Sequence, residues 1–264
     1  TEDPVTIWGS WFAENSVQAR WQGFLLDSGS VTSVLHAMIS DSRGGFDAES
    51  GASLTIESTH FTDSMIGVWN KGSMTGAGFE CQSATTTCLR VDGTANLDTV
   101  TSSNSAGVVH IANGGDATID LIESDLDSDV LVLDGGSTYS GEIQAAGFTR
   151  MIRASDSVTA TVTPIATGSG ETLVDATMVD GLELINGNST NITVSRILIG
   201  TVQDIRLSSI EYQCDGTANC IDAQIQGELA VTDSLFGQQA SDSSVFARLR
   251  GDGIVQVDNI TLTS

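Results

Sequence analysis

Apolar and polar residues alternate along most of the chain, in short runs rich in valine, isoleucine, leucine and threonine. Alternation with a period of two is typical of a β-strand that buries one face and exposes the other. Few stretches show the spacing of apolar positions that marks an amphipathic helix. The pattern therefore predicts an all-β protein.

The apolar runs recur at a nearly constant interval. One family of positions steps along the chain every 20 to 23 residues: Phe46, Val68, Val91, Ile111, Val132, Ile152 and Val174. A second family lies between them: Leu54, Ile56, Leu97, Ile119, Val162, Ile192, Val194 and Val231. A repeat of ~21 residues is shorter than helical-pair repeats of ~33 to 47 residues, and the chain lacks the leucine-rich-repeat consensus. The spacing predicts a solenoid in which each repeat forms one coil of strands.

Glycine and asparagine recur near the ends of these runs. Glycine permits the positive φ that a tight corner between strands requires. We expect corners at Gly72, Gly93, Gly114, Gly115, Gly135, Gly136, Gly187 and Gly216. The asparagines are expected to hydrogen-bond along the solenoid: Asn70, Asn113, Asn186 and Asn219.

The first coils have a recognisable succession of short motifs. Ala19–Phe24 is followed by Ser33–Ile39, Gly45-Phe46, Leu54–Ile56 with Ser58 and Phe61, and Ile66–Val68. This succession resembles the opening coils of the pectin-lyase-like superfamily, and the repeat pattern extends the resemblance over roughly residues 19 to 264. The resemblance implies a right-handed parallel β-helix of about ten coils. It leaves function open, because the superfamily includes lyases, hydrolases, phage spikes and inert surface proteins.

The pattern divides the chain into two parts. Residues 1–18, with Trp8, Trp11 and Phe12, are predicted to form a first strand or a lid over the end of the core, and residues 19–264 the β-helix domain. A solenoid end exposes apolar side chains and unpaired strand edges, which bulky aromatic residues can cover. The last segment, Ile254–Leu262, has no such cap, and we expect it to continue into further coils or to meet another chain.

The charge of the chain excludes some classes of binding partner. The formal net charge is -24, and one lysine, Lys71, stands against 34 acidic residues. Such a surface repels nucleic acids and anionic lipids. It also suits a marine or saltier habitat, because salt screens its self-repulsion. No apolar run approaches the ~20 residues needed to cross a bilayer, so we expect no membrane insertion.

Cysteines and sequons indicate an extracellular location. Cys81 with Cys88 and Cys214 with Cys220 bracket short polar stretches, which predicts two local disulfides, with free buried thiols as the alternative. No partner with zinc-site spacing lies near them. Glycosylation sequons begin at Asn188, Asn191 and Asn259.

Enzymes on this fold bind polysaccharide in a shallow lateral groove. A lyase needs a cation to neutralise the uronate and a basic group to remove the α-proton. The candidates are Lys71, the pair Arg150 and Arg153, and the pair Arg248 and Arg250. Among so many carboxylates, such arginine pairs are also typical of salt-bridge ladders, which is the interpretation we favour.

A second set of candidates consists of aspartates and histidines. Alternation would direct Asp125, Asp127 and Asp129 to one side of a strand, where they would bind Ca²⁺, lie hydrated at a turn, or act as acid and base in a hydrolase. We favour the hydrated turn. The histidines, His36, His60 and His110, are not spaced by whole coils and are expected to have structural or surface positions.

Three functions follow as hypotheses. The first is a non-enzymatic structural or adhesive surface protein without a cofactor, which forms homo-oligomers or continues a larger surface protein through its open coil ends. The second is a polysaccharide lyase or glycoside hydrolase. The third is a glycan-binding module with a lateral groove.

Overall fold

A computed structural model describes residues 5–8, 11–12, 23–238 and 246–263. The protein is a parallel β-solenoid of about ten turns with a period of ~22 residues, and 74% of it is strand. Helices are absent from the residues that the structure describes. The all-β fold and the solenoid architecture predicted from the repeat are thus confirmed.

The described residues form 24 strands. The first twelve are β1 (Val5–Trp8), β2 (Trp11–Phe12), β3 (Phe24–Leu26), β4 (Val31–Leu35), β5 (Met38–Ser40), β6 (Gly44–Ala48), β7 (Ser53–Thr62), β8 (Ile66–Asn70), β9 (Ser73–Gln82), β10 (Thr87–Val91), β11 (Thr94–Ser103) and β12 (Gly107–Ile111). The others are β13 (Asp116–Asp125), β14 (Asp129–Leu133), β15 (Thr138–Ala146), β16 (Phe148–Ala166), β17 (Gly170–Ile185), β18 (Asn188–Ser208), β19 (Glu211–Cys214), β20 (Ile221–Thr232), β21 (Leu235–Gln238), β22 (Ala247–Arg250), β23 (Ile254–Asp258) and β24 (Thr261–Thr263).

Each coil contributes to three parallel sheets. In the coil from Ile66 to Gln82, the short strand β8 lies in sheet A, and the long strand β9 bends so that its first half lies in sheet B and its second half in sheet C. β16, β17 and β18 are single strands of 16 to 21 residues that run through two or three of these sheets. Each strand pairs with its counterparts one coil before and one coil after.

The register of sheet A corrects part of the predicted apolar row. One inward-facing row runs through Phe24, Phe46, Val68, Leu89, Val109, Leu131, Ile152, Val174, Leu198, Ile221 and Ala247. The predicted members Val91 and Ile111 lie two residues further along, opposite Asn70 and each other. Val132 is the neighbour of Leu131 and belongs to the outer face, opposite His110 and Arg153. A two-residue slip keeps a side chain on the same face, so alternation alone cannot detect it.

Sheet B confirms four positions of the second family. Leu97, Ile119, Val162 and Val231 share one inward-facing row, which also contains two glycines and two further leucines. Leu54 lies in the adjacent inward row, two residues earlier. Val194 was assigned to the wrong sheet, because it pairs with Gly170 where a strand enters sheet A.

Stacked apolar side chains fill the interior. Near the first coils, aromatic rings follow one another along the axis, with centroids 5.1 Å apart for Phe24 and Phe46, 6.2 Å for Phe46 and Phe61, and 5.3 Å for Phe61 and Phe79. Further along, leucine, isoleucine and valine side chains make up most of the core, nearly all of them fully buried, together with Tyr139, Phe148, Tyr212 and Phe236. A coil alone cannot bury these side chains, so each coil depends on its neighbours.

The corners confirm the predicted roles of glycine and asparagine in part. Asn113 and Gly114 have φ of 55° and 77°, and Gly136 and Gly216 each have 78°. Asn70 is buried and donates from Nδ2 to the carbonyl oxygen of Thr94, 2.7 Å away, in the next coil. The side chain of Asn70 therefore ties two consecutive coils together.

A ladder of left-handed residues forms the corner between sheets C and A. Its members are Asp41, Asp63, Ser83, Asn104, Leu126 and Gly147, with φ from 52° to 67°. The backbone N–H of each donates to a carbonyl oxygen of the following coil, as from Leu126 to Ala146 at 2.9 Å. Leucine is the unusual member, because its Cβ is strained in this conformation and its side chain is 59% exposed.

We predict that Leu126→Asn stabilises the protein by about 1 kcal/mol, because asparagine tolerates the left-handed conformation and little apolar burial is lost. Urea unfolding of both forms measures the difference. The reverse change one coil earlier, Asn104→Leu, is the matched control and should destabilise by a similar amount. A Leu126→Asn variant that is less stable than the parent would contradict the prediction.

Candidate functional site

The outer face of sheet A collects the cations of the protein. Nine arginine and lysine residues are described, and all except Arg206 lie on this sheet or directly next to one of its strands. They are Arg43, Lys71, Arg90, Arg150, Arg153, Arg196, Arg248 and Arg250. The outer faces of sheets B and C therefore carry carboxylates with almost no described cation between them.

Lys71 is held by two carboxylates and an aromatic ring. Its Nζ lies 3.0 Å from Asp47 Oδ1, 2.7 Å from Glu49 Oε1 and 4.3 Å from the centroid of the Trp69 ring. Partial burial lowers the pKa of Lys71, but the hydrogen bonds and charges of Glu49 and Asp47 outweigh it and raise the pKa above its ordinary value. A lysine that keeps its proton is a poor base for removing a proton from a sugar.

The arginine pairs are engaged in ion pairs, as the salt-bridge interpretation predicts. Arg150 contacts both oxygens of Asp129, at 2.6 and 2.9 Å, and reaches Asp175 at 3.4 Å, while Arg153 Nη1 lies 3.7 Å from Asp129. Hydrogen bonding to Asp129 raises the pKa of Arg150 further. These contacts link three consecutive coils of sheet A.

The second arginine pair lies on the last coil. Arg250 Nη2 is 2.5 Å from Asp222 Oδ1, and Arg248 has the register position directly opposite Asp222. Arg250 therefore extends the ion pairs of sheet A to this coil.

The three histidines lie apart from one another. His36 forms the corner between sheets B and C with φ of 55°, His60 lies in sheet C, and His110 lies in sheet A. His60 Nδ1 contacts Glu80 Oε2 at 3.1 Å, and His110 Nε2 contacts Asp134 Oδ2 at 2.6 Å. They do not form a shared catalytic site.

Asp125, Asp127 and Asp129 do not lie together on one side of a strand, and the hydrated turn that we favour is wrong for Asp127, which is buried. Asp125 is exposed on sheet C, Asp127 is 1% exposed inside the following corner, and Asp129 begins the next strand in contact with Arg150. The left-handed Leu126 turns the chain between them, so the strand alternation that would align the three carboxylates is interrupted. Across the described ranges, no three His, Cys, Asp or Glu side chains are arranged to hold a metal ion.

Asp127 instead belongs to a buried polar cluster with Ser102, Ser105 and Ser124. Asp127 accepts hydrogen bonds from the Ser105 backbone N–H (2.5 Å), Ser124 Oγ (2.8 Å) and Ser102 Oγ (3.1 Å). Ser102 Oγ also lies 3.3 Å from the sulfur of Cys88. Desolvation raises the pKa of Asp127 above its ordinary value, and these hydrogen bonds lower it by less.

Both predicted disulfides are present. Cys81 is bonded to Cys88 and Cys214 to Cys220, with Cα–Cα distances of 5.9 Å in each. Each bond closes a short loop, as predicted, and its sulfur atoms point into the core, where all four cysteines are buried. Next to the second disulfide, Asp215 accepts hydrogen bonds from Thr217 and Ser195; burial raises the pKa of Asp215, but these bonds lower it below its ordinary value.

The sequons differ in exposure. Asn259 is exposed at a corner between sheets B and C and donates from Nδ2 to Asp233 Oδ1, 2.7 Å away. Asn188 is half-buried at the start of β18, and the side chain of Asn191 lies outside the described residues. Of the two sequon asparagines whose side chains are described, Asn259 has the more accessible amide.

A shallow groove runs along the outer face of sheet C. Two adjoining cavities of about 300 and 160 Å³ share Thr101. The outward row that lines them consists of His60, Glu80, Thr101, Glu123 and Gln144, one residue from each of five coils. Gly78 lines the larger cavity and permits the concave bend of the chain there, because a Cβ on this residue would lie 1.6 Å from the Thr99 carbonyl oxygen.

The groove row was missed in the sequence. Its members are 20 to 22 residues apart and belong to four residue types, so only the correct register of sheet C reveals them. The nearly constant length of the coils is a signal that could have found this row. The row begins, however, in a ten-residue strand that crosses a bend, and counting residues with a fixed period gives the wrong position there.

The inward register positions of the last described coil are more exposed than those of the coil before it. Leu249, Val255, Val257 and Leu262 are 40%, 38%, 62% and 60% exposed. The residues directly opposite them in the preceding coil are Ala223, Leu229, Val231 and Phe236, and all of these are buried. The apolar rows of all three sheets therefore continue into this coil.

The fold defines the class of the chain as a parallel β-solenoid protein. No family model, curated protein or solved structure matches it. A search of the described residues for a helix long and apolar enough to span a membrane finds none.

We predict that Asp127 makes stability depend on pH in a defined direction. Because its pKa is raised in the folded state, the folded protein loses stability as the pH rises from the ordinary value of 3.8 through the raised pKa. Asp127→Asn removes this titration, so the parent should lose stability relative to the variant across that window. Urea unfolding at a series of pH values measures the difference.

Asp125→Asn is the matched control, because Asp125 is exposed and lies two residues from Asp127, and its substitution removes the same formal charge. Its stability difference from the parent should vary much less with pH. Equal pH profiles for the two variants would show that the buried cluster does not perturb Asp127.

Proposed function

We propose that the chain is an extracellular structural or adhesive surface protein, a non-enzymatic β-helix rod of the pectin-lyase-like, surface-protein type. The observation that carries this proposal is the unbroken parallel ladder of sheet A from Phe24 to Ala247, packed over a continuous core. With a rise of ~4.8 Å per coil, about ten coils form a rod ~50 Å long.

The chemistry of the surface supports an extracellular setting. Two buried disulfides suit an oxidising compartment, and a net charge of -24 suits a medium in which salt screens repulsion. The exposed amide of Asn259 suits glycosylation. These features favour a rod that stays folded in an oxidising, salty medium outside the cell.

The location is tested by labelling intact producing cells with an antibody raised against the folded rod. We expect labelling of intact cells or recovery of the protein from the medium, and loss of the cell-bound label after surface proteolysis. Labelling that appears only after lysis would contradict the proposal.

Glycan binding in the groove of sheet C is a second candidate, favoured by the two adjoining cavities. Glu80 and Glu123 make the groove unsuited to polyanions, while its hydroxyl, amide and carboxylate groups can hydrogen-bond a neutral polysaccharide. Its five coils span ~20 Å, enough for a few sugar residues.

For this second function we expect Glu123→Ala and Gln144→Ala to weaken binding of neutral oligosaccharides about tenfold each, through loss of hydrogen bonds. Asp116→Ala, on the exposed face of sheet B, is the control and should leave binding unchanged. Calorimetric titration measures the affinities, and no binding by the parent would exclude the groove as a glycan site.

The enzyme alternative is tested with the same protein. The contacts of Lys71, Arg150 and Arg250 with carboxylates favour structural roles for these cations. We therefore expect no unsaturated or reducing-end product from uronate or neutral polysaccharides. Product that disappears in Glu80→Gln would establish an enzyme instead.

A further inference from the structure

We propose that the outer face of sheet B binds ice, through two parallel rows of hydroxyl-bearing side chains that repeat in register over six coils. This activity goes beyond the surface-rod function and does not depend on it. Four features of the face carry the inference: its composition, its regular spacing, its unpartnered hydroxyls and its lack of charge.

The two rows consist almost entirely of serine and threonine. Ten of the twelve side chains carry a hydroxyl, and every one of the twelve is exposed or half-buried. The first row is Ser53, Ser73, Thr94, Asp116, Thr138 and Thr159, and the second is Thr55, Thr75, Asn96, Thr118, Ser140 and Thr161. We call these two rows the hydroxyl array.

The hydroxyl array is regular in two directions. Its register does not shift, and the irregularities of the same strands lie beyond it, as between Thr55 and Glu57 and between Ile119 and Leu121. Neighbouring coils are ~4.8 Å apart and the two rows ~6.6 Å apart, so six coils give an array ~24 Å long. Threonine is stiff at χ1, and its hydroxyl therefore follows the spacing of the backbone.

Most hydroxyls of the array have no partner in the protein. Among the contacts of the described residues, two hydrogen bonds engage side chains of the array, from Ser73 Oγ to Ser53 Oγ at 3.5 Å and from Thr138 Oγ1 to Asp116 Oδ1. The other hydroxyls are available to water, as donors and as acceptors. The face therefore holds a first layer of water at the spacing of the array.

The spacing of the array is close to that of ice. Tetrahedral hydrogen bonding at an oxygen–oxygen distance of ~2.75 Å places second-neighbour oxygens ~4.5 Å apart, with a perpendicular repeat of ~7.3 Å. The array differs from these spacings by ~0.3 Å per coil and ~0.7 Å between rows. From the centre of six coils the first difference adds up to less than ~1 Å, which small adjustments of hydrogen-bond length and angle absorb.

The array is depleted of charge, although the chain has 34 acidic residues. Asp116 is its one charged member, whereas the next outward positions of the same strands include Glu57, Asp98 and Asp120. A carboxylate is costly to desolvate against a neutral surface, but a neutral hydroxyl takes the place of one water molecule. The composition therefore favours an uncharged ligand. The two rows also lack the aromatic side chains whose flat faces would stack on sugar rings.

Binding depends on many contacts made together. One hydroxyl gains little from ice, because it exchanges a hydrogen bond with liquid water for another. Ten hydroxyls on one rigid sheet engage simultaneously, and the scaffold has little conformational freedom left to lose. The regular array is thus suited to a ligand that has the same order over the same distance.

Thermal hysteresis of the full chain tests the proposal. We expect the protein to separate the freezing and melting points of small ice crystals, and a fluorescently labelled chain to adhere to the prism faces, where both spacings occur. Thr118→Tyr places a bulky ring at the centre of the flat face and should remove more than half of the hysteresis.

Thr149→Tyr is the matched control, because Thr149 is exposed at the start of β16, outside the array. It should keep the hysteresis of the parent. Urea unfolding of both variants shows whether they fold alike. Equal loss of hysteresis in the two folded variants would overturn the assignment to sheet B.

Asp116→Thr supplies a readout that misfolding cannot produce. It replaces the one carboxylate of the array by a hydroxyl, so we expect the hysteresis to rise above that of the parent. Asp125→Thr removes the same charge on the exposed face of sheet C and should leave the hysteresis unchanged. A fall in hysteresis with Asp116→Thr would contradict the proposed role of the array.

A parent chain that neither shows hysteresis nor slows ice recrystallisation would overturn the proposal, as would adsorption to crystalline cellulose or chitin through the array instead of ice. Detection of the chain on intact cells would still support the surface-rod function, so the two failures are distinguishable.

Discussion

The stacking of inward-facing side chains from one coil to the next is the interaction on which the rest of the structure depends. Phe46, Val68 and Leu89 are buried because each has another apolar residue directly above and below it. This stacking fixes the register of sheet A, and the continuous chain transmits that register through the corners to sheets B and C. Outer rows, such as the groove row and the ion-pair ladder, are consequences of the same register.

One region replaces apolar stacking by hydrogen bonding. In sheet C the inward row changes from Phe61 to Cys81, Ser102 and Ser124 before it returns to Ala145. These smaller side chains leave room for the Cys81–Cys88 disulfide and for Asp127 inside the corner. The cluster is tolerated because three donors satisfy the carboxylate, whereas an unpaired buried charge would be costly.

The sequence predicts the solenoid well because its period and its alternation are local properties. Register is a different kind of information: Val91 was placed two residues away from its true row because both positions face inward. The prediction that Asp125, Asp127 and Asp129 lie on one side of a strand is wrong for a related reason, because the strand alternation ends at the left-handed Leu126. The disulfides were predictable because the loops between their cysteines are short, and the groove was not, because it joins residues from five coils.

The distribution of charge separates sheet A from the other two sheets. Cations concentrate on sheet A, where contacts such as Arg150 with Asp129 neutralise them, whereas the charged residues on the outer faces of sheets B and C are nearly all carboxylates. Two rods that approach side by side through the faces of sheets B and C repel one another, and salt screens this repulsion. The register that buries the apolar rows also determines which charges stand next to one another, because the outer residues of each coil lie opposite those of the next.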